Sequence, residues 1–590
     1  MTETLDRFGA RGDGRTDDTA AFQRAVEWSA AQGGAMVRAT SGAVYRLTER
    51  IRSTGPLRLD LGDAELILDA EHAGLQAAAR LEGPFDLRET QDGGTRISVA
   101  LPDDTPLPAP GSWIKIVSDA LAPWQRDRGS DDRVYAIAEW AEIGEGSTRS
   151  QLVLARPLRV RRGIDPRSVP GDEDSVWPWD TRYRPCVVWA HAHPVTIAGG
   201  VWAHPPNRDA WNAPTLLVLG HVDPLIERVH IARGYDTGIR LTGTQGARIV
   251  DCRAEMLASD PGKGRFGYGV ADGGGRGTLV QGLRGTDTRS LFTTSIGPSE
   301  RGERRTARLL GMGSSEAILV RDGQAGPHES APWDTHHDGR HVTFERITAT
   351  GGGGPAVSIR ARETAVRGLV LNGTERGILV FTDWGGGRED GDNWLNGATR
   401  ADYPMVQVAD YAGTCRRRPI FVRAGTLSLT GTGRITTQAC CGLRLSGGTV
   451  TVTGAHRIAL GSEVGEEDDE EALIRLFQGH EKSRRIFGGA TVDVAGLLEL
   501  DGRAIGRAGT YGLYLEENTQ VRVSGLLVLR LPALATDLRG GQGRLDILGT
   551  GSVAVTRPER DGAVLLDASG STQITERALE RLIAAYAPGP

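Results

Sequence analysis

An all-β solenoid, a parallel β-helix, is the fold class that three features of this 590-residue sequence predict. Glycine accounts for 81 residues, about twice its usual share of roughly 7%, with no collagen period or Gly/Ser linker to explain it. The glycines stand between short apolar runs, as expected where many tight turns need positive φ. The runs also recur, with residues 359 and 380 lying 21 apart and the pairs 422 and 444, 514 and 536 lying 22 apart. A period near 22 suits three short strands per turn, whereas a four-stranded propeller blade needs about 40 residues. Aromatics make up only 5% of the chain, in keeping with a core of Val, Leu, Ile and Ala ladders. Length alone would suggest three or four domains of about 150 residues. A solenoid escapes that prior because each turn packs only on its neighbours.

The first element is a helix. Residues 8–19 read FGARGDGRTDDT and lead into AAFQRAVEWSAAQGG and then AMVRATSGAVYRLTERI. Asp17 or Asp18 is placed to cap the helix, Phe22, Val26 and Trp28 fall near helical spacing, and Gly33-Gly34 ends it. This opening resembles the FGAxGDGxTDDTxAxQxAxxxA…GG start of the pectate-lyase-like superfamily over residues 8 to about 70. The resemblance implies a right-handed parallel β-helix whose N-terminal helix caps the open end of the first coils, within residues 1–70, covering backbone that would otherwise lie unpaired. It also implies that the acidic residues of the motif are caps and turn formers, not catalysts.

Residues 71–170 break the coil spacing. ISVALPDD, GSWIKIVSDALAPW, VYAIAEWAEIGEG and SQLVLARPLRV read as strands between Gly, Pro and Asp turns. They resemble a small β-subdomain inserted after the first coil of many phage tail β-helix proteins, with the G-[DS]-W-[IV]-K-I-x-S strand at residues 111–118 and the G/A-E-[WF]-x-x-[IV] strand at 138–143. A central β-helix with a candidate glycan groove is expected over residues 171–460. In residues 461–490, GEEDDEE precedes ALIRLFQGHEKSRRIF, an acidic first turn with basic residues late, which suits the helix dipole and predicts an excursion helix. A Ca²⁺ site is the alternative there, although EF-hand spacing is absent. C-terminal coils follow over 491–574, and Thr575 caps a closing or interface helix over 575–590.

Charge and cysteines exclude some classes. A net charge of −6, with Arg interspersed among Asp and Glu, lacks the basic footprint of a nucleic-acid protein. Cys186, Cys252, Cys415, Cys440 and Cys441 have neither CxxC nor paired Cys/His spacing, so zinc and a disulfide framework are not expected and buried free thiols are. The Gly-rich GRFGYG and DGGGRG do not open a helix in a βαβ unit and are not nucleotide loops.

The densest polar constellation is APWDTHHDGR at residues 331–340, before His341-Val342-Thr343-Phe344. Three of the twelve histidines fall within six residues here. An imidazole beside a carboxylate has the parts for general acid/base work, and Trp333 could stack on a sugar. The stretch resembles the [FW]-D-T-H-x-G-x-x-[VI]-T-F turn of phage and bacterial β-helix proteins thought to act on polysaccharides, with His337 in the variable position. By that resemblance Asp334 and His336 face the groove, with Trp333, His337, Arg340, Arg360, Arg362 and, from the Gly-Tyr-Gly-Val strand, Tyr268 and Asp272 as substrate-binding residues. Arg pairs with glycan carboxylates in bidentate fashion. The competing reading is a structural turn in which Asp334 and His336 bond backbone between coils. Glu316 and Asp322 are further catalytic candidates, since paired carboxylates would mark a hydrolase. A lyase would need a base at the sugar C5 and Arg, Lys or metal on the uronate. The N-T-D, D-D, G-H-G and R-I-K set of polygalacturonases and the pectate-lyase Arg/Lys and Ca²⁺ signature are both missing.

These resemblances imply a phage tail spike or tail fibre protein that binds and depolymerises a host surface polysaccharide. Lyase or glycoside hydrolase chemistry stays open, and so does a non-catalytic structural or receptor-binding tail role or a bacterial polysaccharide lyase or epimerase. A homotrimer, other virion tail proteins as partners, no nucleic acid, no membrane insertion and no cofactor beyond Ca²⁺ are expected. The N-terminus has no apolar signal core and no 18-residue apolar run occurs, so location in the virion tail, extracellular after lysis, is expected.

Overall fold

The computed structural model describes residues 1–70, 72–121, 136–158, 186–206, 213–260, 265–294, 305–336, 339–382, 400–462, 472–479, 484, 486–506, 508–535 and 537–586. The chain divides into two compact units, the first holding residues 1–319 with Gly339 and Arg340, the second the rest from Val320. Both are built from parallel strands stacked rung on rung, as a β-helix requires.

In the first unit, one inward ladder runs Val37, Leu59, Ile197, Ile226, Ile249, Val280. A second runs Ile51, Leu75, Leu216, Ile239, Val270, Phe292. Nearly every one of these side chains is fully buried. Successive residues of a strand point to opposite faces, so every second position on each rung meets the same column. The helix Thr19–Ala31 buries Phe22 and Val26, with Trp28 set 5.5 Å from the ring of Phe8. The motif aspartates are turn formers: Asp18 accepts from the amides of Arg11 and Gly12, Asp17 from Thr19, and Asp13 from Arg15 and Thr16.

Between the strands Leu57–Asp60 and Val195–Ala198, which pair directly, the chain leaves the solenoid. It forms a six-stranded sheet from Arg80–Gln91 to Cys186–His191, in which Trp113–Leu121 pairs antiparallel with Ala136–Glu142. This sheet packs on the helix Arg305–Leu310 through Val117, Val188, Leu309 and Leu310. The fully buried Lys115 donates to the Gly274 carbonyl (3.0 Å), which also accepts from Trp140 Nε1 (2.8 Å).

In the second unit the ladders are Val357, Ile378, Ile420, Leu443, Ile474, Leu513 and Ile435, Ile458, Leu500, Leu529, Val555. Ile359 pairs with Val380 at the expected interval. Val422 pairs with Leu445, one residue beyond expectation, and Tyr514 with Gly540, because loops of different length join the rungs. Ala472–Leu476 is a strand, not the expected helix. Leu443 and Leu513 on the flanking rungs supply ladder partners for Ile474, and that packing overrides the local helical pattern. The acidic run at 465–471 lies outside the described residues. An antiparallel hairpin, Ala563–Asp567 and Gly570–Ile574, ends the parallel stack, and the helix Glu576–Tyr586 buries Leu579 and Ile583 against Leu497, Leu526 and Val528. Thr575 Oγ1 accepts from the Ala578 amide, as a cap should.

All five cysteines are buried thiols outside any disulfide. Burial pushes the Cys252 and Cys415 thiols up to about 12, so neither is a nucleophile at neutral pH. No described helix is long and apolar enough to cross a membrane.

Candidate functional site

The two-residue strand Trp333–Asp334 pairs with Val357 and Ser358. Alternation sends Trp333 inward onto the same ladder as Val357 and Ile378. The ring is fully buried, donates through Nε1 to the Thr348 carbonyl (3.0 Å) and lies 6.4 Å from Phe344. It occupies the space above Gly323, where an added Cβ would come within 2.3 Å of it. Sugar stacking by Trp333 is thus corrected: the ring belongs to the core.

Asp334 points the other way and is covered. Arg360 Nη2 donates to both its oxygens (3.0 and 2.7 Å), and His336 Nε2 lies 3.3 Å away. Burial raises the carboxyl pKa, but Arg360, His336 and Ser358 together outweigh it and hold Asp334 below the usual carboxylate range. Arg360 also donates to the Thr335 carbonyl (2.9 Å) and lies 5.2 Å from the Phe381 ring. The Thr335 hydroxyl accepts from the Arg360 and Ala361 amides. Asp334, held below the usual carboxylate range, is suited to orient His336 and not to serve as a general acid near neutral pH. His336, with 21% of its side chain exposed, is the member of the pair that can meet a ligand.

The other expected residues scatter. His337 lies outside the described residues. Arg340 is half-buried on Gly339–Thr350, and Arg362 is half-buried at the start of Arg362–Val380. Tyr268 is buried with its ring stacked on Phe266 at 5.6 Å, and Asp272 is fully buried, accepting from Thr278 Oγ1 (2.6 Å) and the Gly275 amide (3.1 Å). Burial pushes the Asp272 carboxyl up. Both substrate-binding assignments are corrected, because inward packing closes these side chains to a polymer. Glu316 is half-buried on a strand of the first unit. Asp322 belongs to the second unit, is held by Arg346 at 2.7 and 3.1 Å, and titrates low because of that guanidinium. The paired-carboxylate reading of Glu316 with Asp322 is corrected accordingly: one carboxylate of the proposed pair is committed to an arginine.

The residues that sequence reasoning missed share the Asp334 column. Its register runs Asp334, Ser358, Leu379, Phe421, Arg444, Arg475, Tyr514, Gly540, one residue per rung. Each points away from the core ladder beside it. Guanidinium groups and rings interleave. Arg418 and Arg423 lie 5.3 Å from the Phe421 ring. Arg444 lies 5.4 Å from Phe421 and 4.8 Å from Phe477, and Arg475 lies 4.6 Å from Phe477 and 5.3 Å from Tyr514. Phe421 is covered, while Arg444, Arg475, Phe477 and Tyr514 are half-buried. Gly540 on the next rung leaves room for the Tyr511–Tyr514 ring pair. The signal in the sequence is an aliphatic-x-aliphatic triplet once per rung, in Ile420-Phe421-Val422, Leu443-Arg444-Leu445, Ile474-Arg475-Leu476 and Leu513-Tyr514-Leu515. Among the described residues no group of three or more His, Cys, Asp or Glu is placed to hold a metal ion.

No family model matches the chain. Among solved structures it is similar to the tailspike protein gp49 of Pseudomonas phage LKA1, at 15% identity and TM-score 0.47, covering 93% of this chain and 84% of that one. It is similar to the gp54 tailspike of Acinetobacter baumannii bacteriophage AP22 in complex with A. baumannii capsular saccharide, at 11% identity and TM-score 0.46, covering 88% and 76%. A tailspike variant of E. coli bacteriophage HK620 in complex with a hexasaccharide gives 9% identity and TM-score 0.49, covering 96% and 83%. With identities this low and TM-scores below 0.5, the fold rests on this chain's own strand pairing and the function on its own side chains.

Proposed function

We propose that this chain is a phage tail spike or tail fibre protein that binds a host surface polysaccharide along the outer column of its second unit. The observation that carries the reading is the interleaving of half-buried rings and guanidinium groups on successive rungs, Arg444, Arg475, Phe477 and Tyr514, outside the core ladder. Aromatic faces take sugar rings and guanidinium forks take their oxygens, and the stacking of parallel strands repeats these groups about every 4.8 Å, as a linear polymer demands. The resemblances at residues 8–70 and 111–143 extend the proposal to a homotrimer in the virion tail, partnered by other tail proteins.

Cleavage is a second reading, favoured by the His336 imidazole held against an ionised, buried Asp334. There His336 would act as the general base and Asp334 would orient it. Binding of the purified chain to bacterial capsular and O-polysaccharides, followed by calorimetry, tests the first reading. Tyr514→Ala and Phe477→Ala should weaken binding with unfolding unchanged, and an absence of binding across the panel contradicts the reading. New reducing ends, or the ultraviolet absorbance of an unsaturated uronate, that vanish in His336→Ala would support cleavage. Binding without product would leave a receptor-binding tail protein.

A further inference from the structure

In the first unit the six-stranded sheet meets the solenoid along a graded seam. On the face that its strands Trp113–Leu121 and Ala136–Glu142 turn to the solenoid, the register pairs run Val117 with Ala138, Lys115 with Trp140, and Trp113 with Glu142. Val117, Ala138 and Lys115 are buried, whereas Trp140, Trp113 and Glu142 are half-buried. The seam is therefore closed where Val117 packs with Leu310 and reaches solvent beside Trp113. The sheet's own core lies on its other face, through Ile114, Ile116 and Ile143, so it does not use the two indoles. At the solvent end Arg276 lies 4.1 Å from the Trp113 ring, and Lys115 lies 4.7 Å from the Trp140 ring. Arg276 stands in register between Gln245 and Glu316, on a column that begins at the exposed Val222. Among the described residues neither Arg276 nor Glu142 has an ion-pair partner. Gln245 is 7% exposed, and its buried Nε2 has no hydrogen-bond partner among them.

Two indoles, a guanidinium, a carboxylate and an amide thus gather at one opening without satisfying one another. Aromatic surface takes the apolar face of a sugar ring. A guanidinium stacked on indole keeps its N–H edge for oxygen acceptors, and a carboxylate accepts from hydroxyls. A buried amide without a partner is costly, and a ligand oxygen at the floor of the opening removes that cost. We infer that the solvent end of this seam is a second saccharide site, built from residues other than those of the column in the second unit. Trp113 and Trp140 present ring surface to the sugar, Arg276 donates to its oxygens, and Glu142 accepts from its hydroxyls. One or two sugar units bury little surface, so this site adds to the hold of the column and does not replace it. The inference rests on the reading that the chain binds a polysaccharide.

The rings of the column are Phe421, Phe477 and Tyr514, so tryptophan emission reports on the seam and not on the column. The full chain is titrated with bacterial capsular and O-polysaccharides, and with oligosaccharides cut from them by mild acid, while emission and heat are both followed. Emission should change saturably. The change should persist in Tyr514→Ala and disappear when Trp113 and Trp140 are both replaced by Phe. In Arg276→Gln it should need roughly tenfold more ligand, the factor lost with one charge-assisted hydrogen bond. Should Arg276→Gln lower the unfolding midpoint, Glu142→Gln carries the test with a shift in the same direction. Heat of binding without an emission change that depends on Trp113, Trp140 and these charged groups overturns the inference and leaves the polysaccharide reading standing. Neither heat nor emission change, across the whole panel, overturns that reading and the inference with it.

Discussion

Two outer columns on the same rungs of the second unit have opposite designs. Thr451, Asp493, Arg522 and Asp546 follow one another in register on one face, so that an arginine lies between two aspartates. Phe421, Arg444, Arg475 and Tyr514 follow one another on another face, with rings in place of the aspartates. The first column answers its arginine with its own aspartates. The second sets its guanidinium groups against rings instead, and on the proposed reading that is the face that meets a partner.

The strongest way to sharpen that contrast is to remove a self-neutralised arginine. Arg530, 4% exposed, is gripped by Glu499 at 2.7 Å and by Glu576 and Glu580 at 2.6 Å. Arg530→Ala leaves the buried Glu499 with only the half-exposed Arg457 at 3.2 Å and should destabilise by about 3 kcal/mol, seen as a lower unfolding midpoint and faster amide exchange in Glu576–Tyr586. Trp333→Ala should cost about 3–5 kcal/mol as a core cavity. A stable Trp333→Ala protein with weakened glycan binding would instead return that ring to the groove.

A pH scan probes the interior beneath both faces. Burial holds His204, His221 and His456 down to about 4. Between roughly pH 6.5, where an exposed histidine titrates, and about 4 the unfolded chain binds protons that the folded chain refuses, so stability falls as pH drops through that window. The unfolding midpoint should be level above pH 7 and decline from 6.5 to 4, less steeply in His456→Phe. A midpoint unchanged across that window would contradict the assignment. The smallest effect belongs to the balanced surface column. Arg522→Ala, at an exposed pair with Asp493, should cost under about 1 kcal/mol and leave glycan binding unchanged.

Much of the fold is legible in the sequence because its cause is local. The helix Thr19–Ala31, the aspartate turns and the 21-residue interval from Ile359 to Val380 all follow from helical periodicity, turn chemistry and alternation, although Asp18 bonds the Arg11 and Gly12 amides and makes no side-chain cap. The site is less legible, because which residues share a column depends on loop lengths. Between ladder positions the chain advances from Ile420 to Leu443, then to Ile474, then to Leu513, at unequal intervals, so Phe421, Arg444, Arg475 and Tyr514 do not line up by counting. Clustering in sequence misled in the other direction. Trp333, Asp334 and His336 are neighbours along the chain, yet alternation puts the tryptophan in the core and the histidine at the surface. Tyr268 and Asp272 read as groove residues by resemblance but sit among buried neighbours that only the stacked rungs reveal.

The comparison of columns is tested most directly by giving each the same charge reversal and measuring adsorption of the purified chain to one set of host cells. Arg475→Glu should abolish adsorption, while Arg522→Glu, on the more exposed aspartate-lined column, should adsorb like the unaltered chain. Equal adsorption of the two variants would contradict the assignment of the ring-supported arginines as the face that meets the polysaccharide.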